Sequence, residues 1–132
     1  LRAARLDAHE LGRQWLRPFW DALPELGHDD RVQLALATME LVPGLGADWL
    51  PRLEAAVNAF SHEPAVVVAV GLAFAECQLW GKARPLLEQS GAAPALPPGV
   101  RRRAWRVLAT LARDEADEAR ARRCEQAAAD ID

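Results

Sequence analysis

The side chains from which a binding site can be assembled lie in two stretches: Val68, Leu72 and Glu76 in one, Arg103, Arg106 and Arg113 in the other. The first three recur every four residues, one row along a helix. The arginines, three and then seven positions apart, are expected on one helical face. Guanidinium groups hold carboxylates through paired hydrogen bonds, so this set suits an acidic, partly apolar partner. The plainer alternative for Arg101, Arg102, Arg103 and Arg106 is the solvated start of a helix.

Bond-making chemistry finds no such footing. No nucleophile–base pair, no carboxylate pair in an apolar frame and no glycine-rich phosphate loop is present. Ser61 and Ser90 are the only serines and lack a GxSxG setting. Gly44-Leu45-Gly46 is too short for a nucleotide motif, and His9, His28 and His62 are isolated from one another. Cys77 and Cys124 form no CxxC pair and are expected to be buried or half-buried thiols. The sequence therefore predicts no catalytic residue, no metal site and no enzyme.

Composition narrows the classes further. The 132 residues are 51% hydrophobic and 27% charged, which suits one folded domain rather than a disordered chain. A net charge of −3 gives no electrostatic case for nucleic acid. No apolar run reaches the ~18 residues that suggest a membrane span. The chain begins at Leu1 rather than Met, which suggests a soluble fragment of something longer.

The elements that must position these groups are helices, and the clearest is at 64–90. Val67, Val70, Gly71 and Phe74 fall at i, i+3, i+4 and i+7, followed by Trp80, Gly81, Ala83 and Leu87 on a second helix. This order of large, small and aromatic residues is that of a tetratricopeptide unit. Gly71 and Ala83 are expected to let two helices nest, Trp80 to lock the corner between them and Gly81 to serve the chain reversal. Lys82 is expected to be solvated and free to pair with an acid.

Weaker copies flank this unit. Leu34, Ala37, Thr38 and Leu41, then Trp49, Leu53, Val57 and Phe60, define a unit at about 31–60, with Asp29, Asp30 and Asp48 as candidate N-caps. Trp105, Leu108, Ala109 and Ala112, then an alanine-rich helix at about 116–129 that is expected to pack little area and fray, define a unit at about 100–129. Leu1, Ala4, Ala8, Leu11 and Trp15 give a leading amphipathic helix at 1–17, which Pro18 is expected to interrupt. The predicted fold is a single all-α domain over 1–132, a tetratricopeptide-like α-α solenoid of about three helix pairs plus the leading helix; an irregular helical bundle is the structural alternative. The run 65–75 has no polar side chain, so Val68 and Leu72, on the expected concave side, must be covered: by this chain or a second copy, by a partner, or by a flat apolar cofactor.

Within the central unit, QLWGKARPLLEQS (78–90) resembles a segment in the C-terminal tetratricopeptide region of HemY-type proteins, bacterial inner-membrane proteins associated with haem biosynthesis. Leu79, Trp80, Gly81, Lys82, Ala83, Arg84, Leu87, Glu88 and Ser90 carry the likeness, with Pro64 and Gly71 upstream and a Trp-x-x-Leu-Pro element at Trp20–Pro24. The likeness is close over about thirty residues and loose elsewhere. The tyrosine-rich helix of that family is replaced by an alanine- and valine-rich one, and its paired N-terminal membrane helices are not in this chain. The resemblance implies a membrane-anchored protein whose soluble domain, on the cytoplasmic side of the bacterial inner membrane, organises protein partners, among them haem-biosynthesis enzymes. It brings no catalytic residues. The competing expectation is a module that holds haem or a porphyrin in the concave groove, with Arg103, Arg106 and Arg113 on the propionates.

Overall fold

The structure, a computed structural model, describes the backbone of residues 2–131 and the side chains of residues 8–131. Among these residues the chain is all-helical, with seven α-helices, two short 3-10 turns and no strand. The helices are α1 (Arg2–Asp21), α2 (His28–Met39), α3 (Leu50–Ala59), α4 (Pro64–Glu76), α5 (Trp80–Gly91), α6 (Pro98–Asp114) and α7 (Glu118–Ala129).

The core is built around α4. Pro64 stands in its first turn, where a missing N–H has no intrahelical partner to lose. Every residue from Ala65 to Ala75 is buried, as expected of a helix apolar on all sides. The cover comes from this chain: α2, α3, α5 and α6 all pack on α4, leaving Val68 0% and Leu72 3% exposed. At the α4–α5 crossing, a Cβ on Gly71 would sit 3.1 Å from both Leu86 Cβ and Leu87 Cδ2. The small residue therefore allows the close approach, and Ala83 and Leu87 are fully buried beside it.

Two of the turns between helices, α4–α5 and α6–α7, reverse the chain without a glycine. Gln78 and Ala116 both adopt left-handed backbone, with φ of 63° and 61°. Around Gln78, the Leu79 amide donates to Phe74 O (2.8 Å) and the Gln78 amide to Ala75 O (3.0 Å). Around Ala116, the Asp117 amide donates to Ala112 O (2.8 Å) and the Ala116 amide to Arg113 O (2.9 Å). Both are Schellman closures, which satisfy the last helical carbonyls and reverse the chain. Gly81, expected to serve the first reversal, instead lies inside α5 with open space around its Cα.

Other boundaries also move. Pro18 does not end α1, which runs on to Asp21; the break in hydrogen bonding falls on an exposed stretch where water can serve the freed carbonyl. Asp29 and Asp30 lie inside the first turn of α2, not at its N-cap, which is Gly27; there they complement the helix dipole. Asp48 belongs to a 3-10 turn and pairs with Arg17 at 2.5 Å. A side-chain cap forms at α7, where Asp117 Oδ1 accepts from the Arg120 amide at 3.0 Å. The alanine-rich α7 is not a loosely held end: Ala121, Cys124 and Ala128 are buried, and small side chains let it lie close along α6.

Candidate functional site

The sequence-predicted binding residues do not all meet. Leu72 and Glu76 on α4 and Arg103 on α6 line one groove of about 220 Å³, with Trp80 and Val107 on its walls. Trp80 is half-buried there, at the α4–α5 corner. Two of the groove's polar members are already engaged. Glu76 Oε1 accepts from the Gly44 amide at 3.1 Å and so holds the loop after α2. Arg103 donates to Met39 O at 3.1 Å, at the end of α2, with Glu40 4.0 Å away. Because α2 and α6 both pack on α4, Arg103 acts as a strap across it. Val68 lies fully buried on α4 and out of reach of any ligand.

Arg106 and Arg113 face elsewhere. Arg113 pairs with Glu118 and Glu125 of α7, and Arg106 borders a shallow depression beside Glu125. At 100° per residue they lie only about 60° and 80° round α6 from Arg103, but Arg106 borders a different depression and Arg113 is taken up by α7 carboxylates, so the three arginines do not form one grip. Val107 and Thr110 share the groove with Arg103 instead.

Lys82 pairs with Glu54 at 3.0 Å and sits 5.9 Å from the Phe74 ring, while Arg84 pairs with Glu115. At the start of α4, Arg31 Nε lies 2.9 Å from both Glu63 carboxylate oxygens, and its guanidinium stacks 4.5 Å from the Phe60 ring. The hydrogen bonds from Arg31 hold the Glu63 carboxyl below its usual range. Burial pushes the Cys77 and Cys124 thiols up, which keeps them protonated and unreactive at neutral pH. They are free thiols, one half-buried and one buried. Among the described residues no group of three metal-ligating side chains gathers, and no helix is long and apolar enough to cross a membrane.

The largest departure from the sequence reading is on α1. Leu11 is 59%, Trp15 76% and Phe19 48% exposed, so three large apolar side chains one turn apart form a stripe facing water. These include the residues expected to pack inward; Leu1 and the side chain of Ala4 lie outside the described residues. The face that does pack holds Gly12, Arg13, Leu16 and Trp20. A Cβ on Gly12 would sit 3.0 Å from the Leu41 side chain. Arg13 donates to Leu41 O and Pro43 O, each at 3.0 Å. The Trp20 indole donates to Thr38 Oγ1 at 2.9 Å, and that hydroxyl donates to Leu34 O at 2.7 Å. α1 has apolar residues on both faces, so spacing alone did not say which would turn inward. Arg13 and Gly12 were the missed signal: a buried guanidinium that reaches the carbonyls of the loop after α2, and a small residue for close approach.

Comparison with protein families, with curated proteins and with solved structures gives no match to this chain.

Proposed function

We propose that this chain is a non-catalytic protein-interaction domain, organised as a tetratricopeptide-like stack, and that the outer face of α1 docks on the apolar side of a partner helix. The observation that carries the reading is the Leu11–Trp15–Phe19 stripe. Aligned large apolar side chains facing water are a feature of interaction surfaces, and aromatic anchors supply much of the energy at such contacts. A stripe at four-residue spacing matches helix-on-helix docking.

The repeat organisation draws support from where side chains reach. Arg17 meets Asp48, Arg52 meets Asp21, Arg31 meets Glu63, Gly44 meets Glu76 and Arg84 meets Glu115, each 31 or 32 residues away. Other long-range contacts run from 18 residues (Trp20 to Thr38) to 64 (Arg103 to Met39), but the cluster at 31–32 lies near the ~34-residue tetratricopeptide period that stacked units produce. The Schellman turns at Gln78 and Ala116 repeat the same device inside two consecutive helix pairs, α4–α5 and α6–α7. The likeness of residues 78–90 to HemY-type proteins supports looking for the partners among haem-biosynthesis enzymes at the inner membrane.

Haem or porphyrin binding by the concave groove has less behind it. Arg103 is engaged with Met39 O, Arg106 and Arg113 point away, and about 220 Å³ falls below the ~300–1,000 Å³ of typical ligand pockets.

The test is a photo-crosslinking amino acid at position 15 of the full-length protein in its own cells, with light scattering of the purified domain alongside. A discrete adduct with another protein, lost in Leu11→Ser/Phe19→Ser, is expected. Adducts only with a second copy, or none, would overturn the partner reading.

A further inference from the structure

A second concavity, separate from both the α1 stripe and the Arg103 groove, opens between α5, α6 and α7. It encloses about 330 Å³, within the range of small-molecule sites though at its lower end. Its floor is apolar: Leu108, Ala112 and Cys124 are all buried there. Trp105 forms one wall, and its place is fixed by α5, since a Cβ on Gly91 would lie 2.4 Å from Trp105 Cε2.

The mouth carries charges of both signs. Four charged residues line it, and two of these are already matched: Arg84 by Glu115 and Arg120 by Asp117. The other two are Glu88 on α5 and Arg123 on α7. Among the described residues, Arg123 has no carboxylate within 4.0 Å, and Glu88 has no cation within that distance. Neither side chain makes a hydrogen bond to the rest of the domain. One unmatched anion and one unmatched cation thus stand at the rim of an apolar-floored, ring-walled cleft. A ligand complementary to all three features has an ammonium, a carboxylate and an apolar body.

We propose that this cleft binds a free apolar α-amino acid, with its carboxylate on Arg123, its ammonium on Glu88 and its side chain against Leu108, Ala112 and Trp105. The Arg123 guanidinium donates two hydrogen bonds to the carboxylate, and the Glu88 carboxylate accepts from the ammonium. The site is independent of the α1 docking surface and stands or falls without it.

The experiment compares three probes that share a phenyl body: L-phenylalanine, 3-phenylpropionate and 2-phenylethylamine. Each is titrated into the domain by calorimetry, with amide shifts of α5, α6 and α7 followed by NMR. Saturable one-to-one binding of phenylalanine is expected, with shifts confined to the cleft. Removing either head group should weaken binding at least about tenfold, the effect of one charge-assisted hydrogen bond. Arg123→Ala should bring phenylalanine down to the amine's affinity, and Glu88→Gln down to the propionate's. Both residues are exposed, so these variants keep the fold. Ala127→Leu, which narrows the cleft, should abolish binding. Equal affinity for phenylalanine and phenylpropionate, shifts centred elsewhere, or no saturable binding would overturn the proposal.

Discussion

Helices α1 and α4 reverse what their sequences suggest at first sight. α4 is apolar on every side, the kind of segment that looks as if it needs an outside partner, yet four helices of its own chain cover it. α1 looks like an ordinary amphipathic helix with a stripe for the core, yet that stripe faces water. Apolar periodicity defines a face; what covers the face depends on the rest of the topology. Four helices pack on α4 and leave it no open side, whereas α1 packs on α2 and α3 and leaves one face to water.

The comparison breaks most readily at Phe74. This ring is buried on α4, and Phe74→Ala should cost about 3–5 kcal/mol by loss of burial and the cavity left behind. Urea unfolding followed by tryptophan emission would measure it. A loss below about 1 kcal/mol would mean that α4 is not the centre of the core.

Next in size are two glycines that allow helices to approach. Gly91→Ala should cost about 1–3 kcal/mol, because the new methyl would displace the Trp105 ring. Gly71→Ala meets Leu86 and Leu87 at 3.1 Å, a contact that needs only a few tenths of an ångström of give. The helix propensity gained, about 1 kcal/mol, offsets it, so the net change should lie near zero. Thermal unfolding of both variants gives the ranking, and the reverse order would contradict the packing described for α5.

A smaller effect, dependent on pH, is expected where α4 begins. The folded-state pKa of Glu63 lies below its unfolded value because Arg31 hydrogen-bonds the ionised form. The folded state therefore holds fewer protons than the unfolded chain in that window, and stability falls as pH falls. The contribution is fully present above the ordinary glutamate value of about 4.3 and is lost as pH drops through the folded pKa. Asp21 shifts in the same direction through Arg52, but it is exposed and adds little. Melting temperatures between pH 7 and pH 3 should show a decline that is shallower in Glu63→Gln. An identical decline in that variant would remove Arg31–Glu63 from the account.

These expectations divide along what could be read from the chain. The α4–α5 pair was legible because Val67, Val70, Gly71, Phe74, Ala83 and Leu87 encode a contact between neighbours in sequence. The helical class followed from the same spacing. Gln78 and Ala116 were not legible as left-handed caps: glycine is the usual signal there, and the local hydrogen bonds override the ~1–2 kcal/mol steric cost that other residues meet. The contact made by Arg103 was not legible for a different reason. Its partner, Met39 O, lies 64 residues away, and no local pattern announces a guanidinium that crosses a neighbouring helix to reach a carbonyl. The cleft with Glu88 and Arg123 draws on three helices, so it exists only once they have packed together.

A substitution expected to leave stability almost unchanged is also the sharpest test of the contrast between the two helices. Trp15→Ser removes a large aromatic side chain, a substitution that in a core would cost several kcal/mol. On α1 the ring is 76% exposed, so the domain alone should shift by no more than about 0.5 kcal/mol, read as an unchanged urea midpoint. Crosslinking from a neighbouring site, Phe19 replaced by the photoreactive residue, should nevertheless drop sharply in the Trp15→Ser background. Unchanged stability together with lost crosslinking assigns the residue to a partner contact. A loss of 2 kcal/mol or more would instead mean that Trp15 packs within the chain, and α1 would then no longer differ from the helices it lies against.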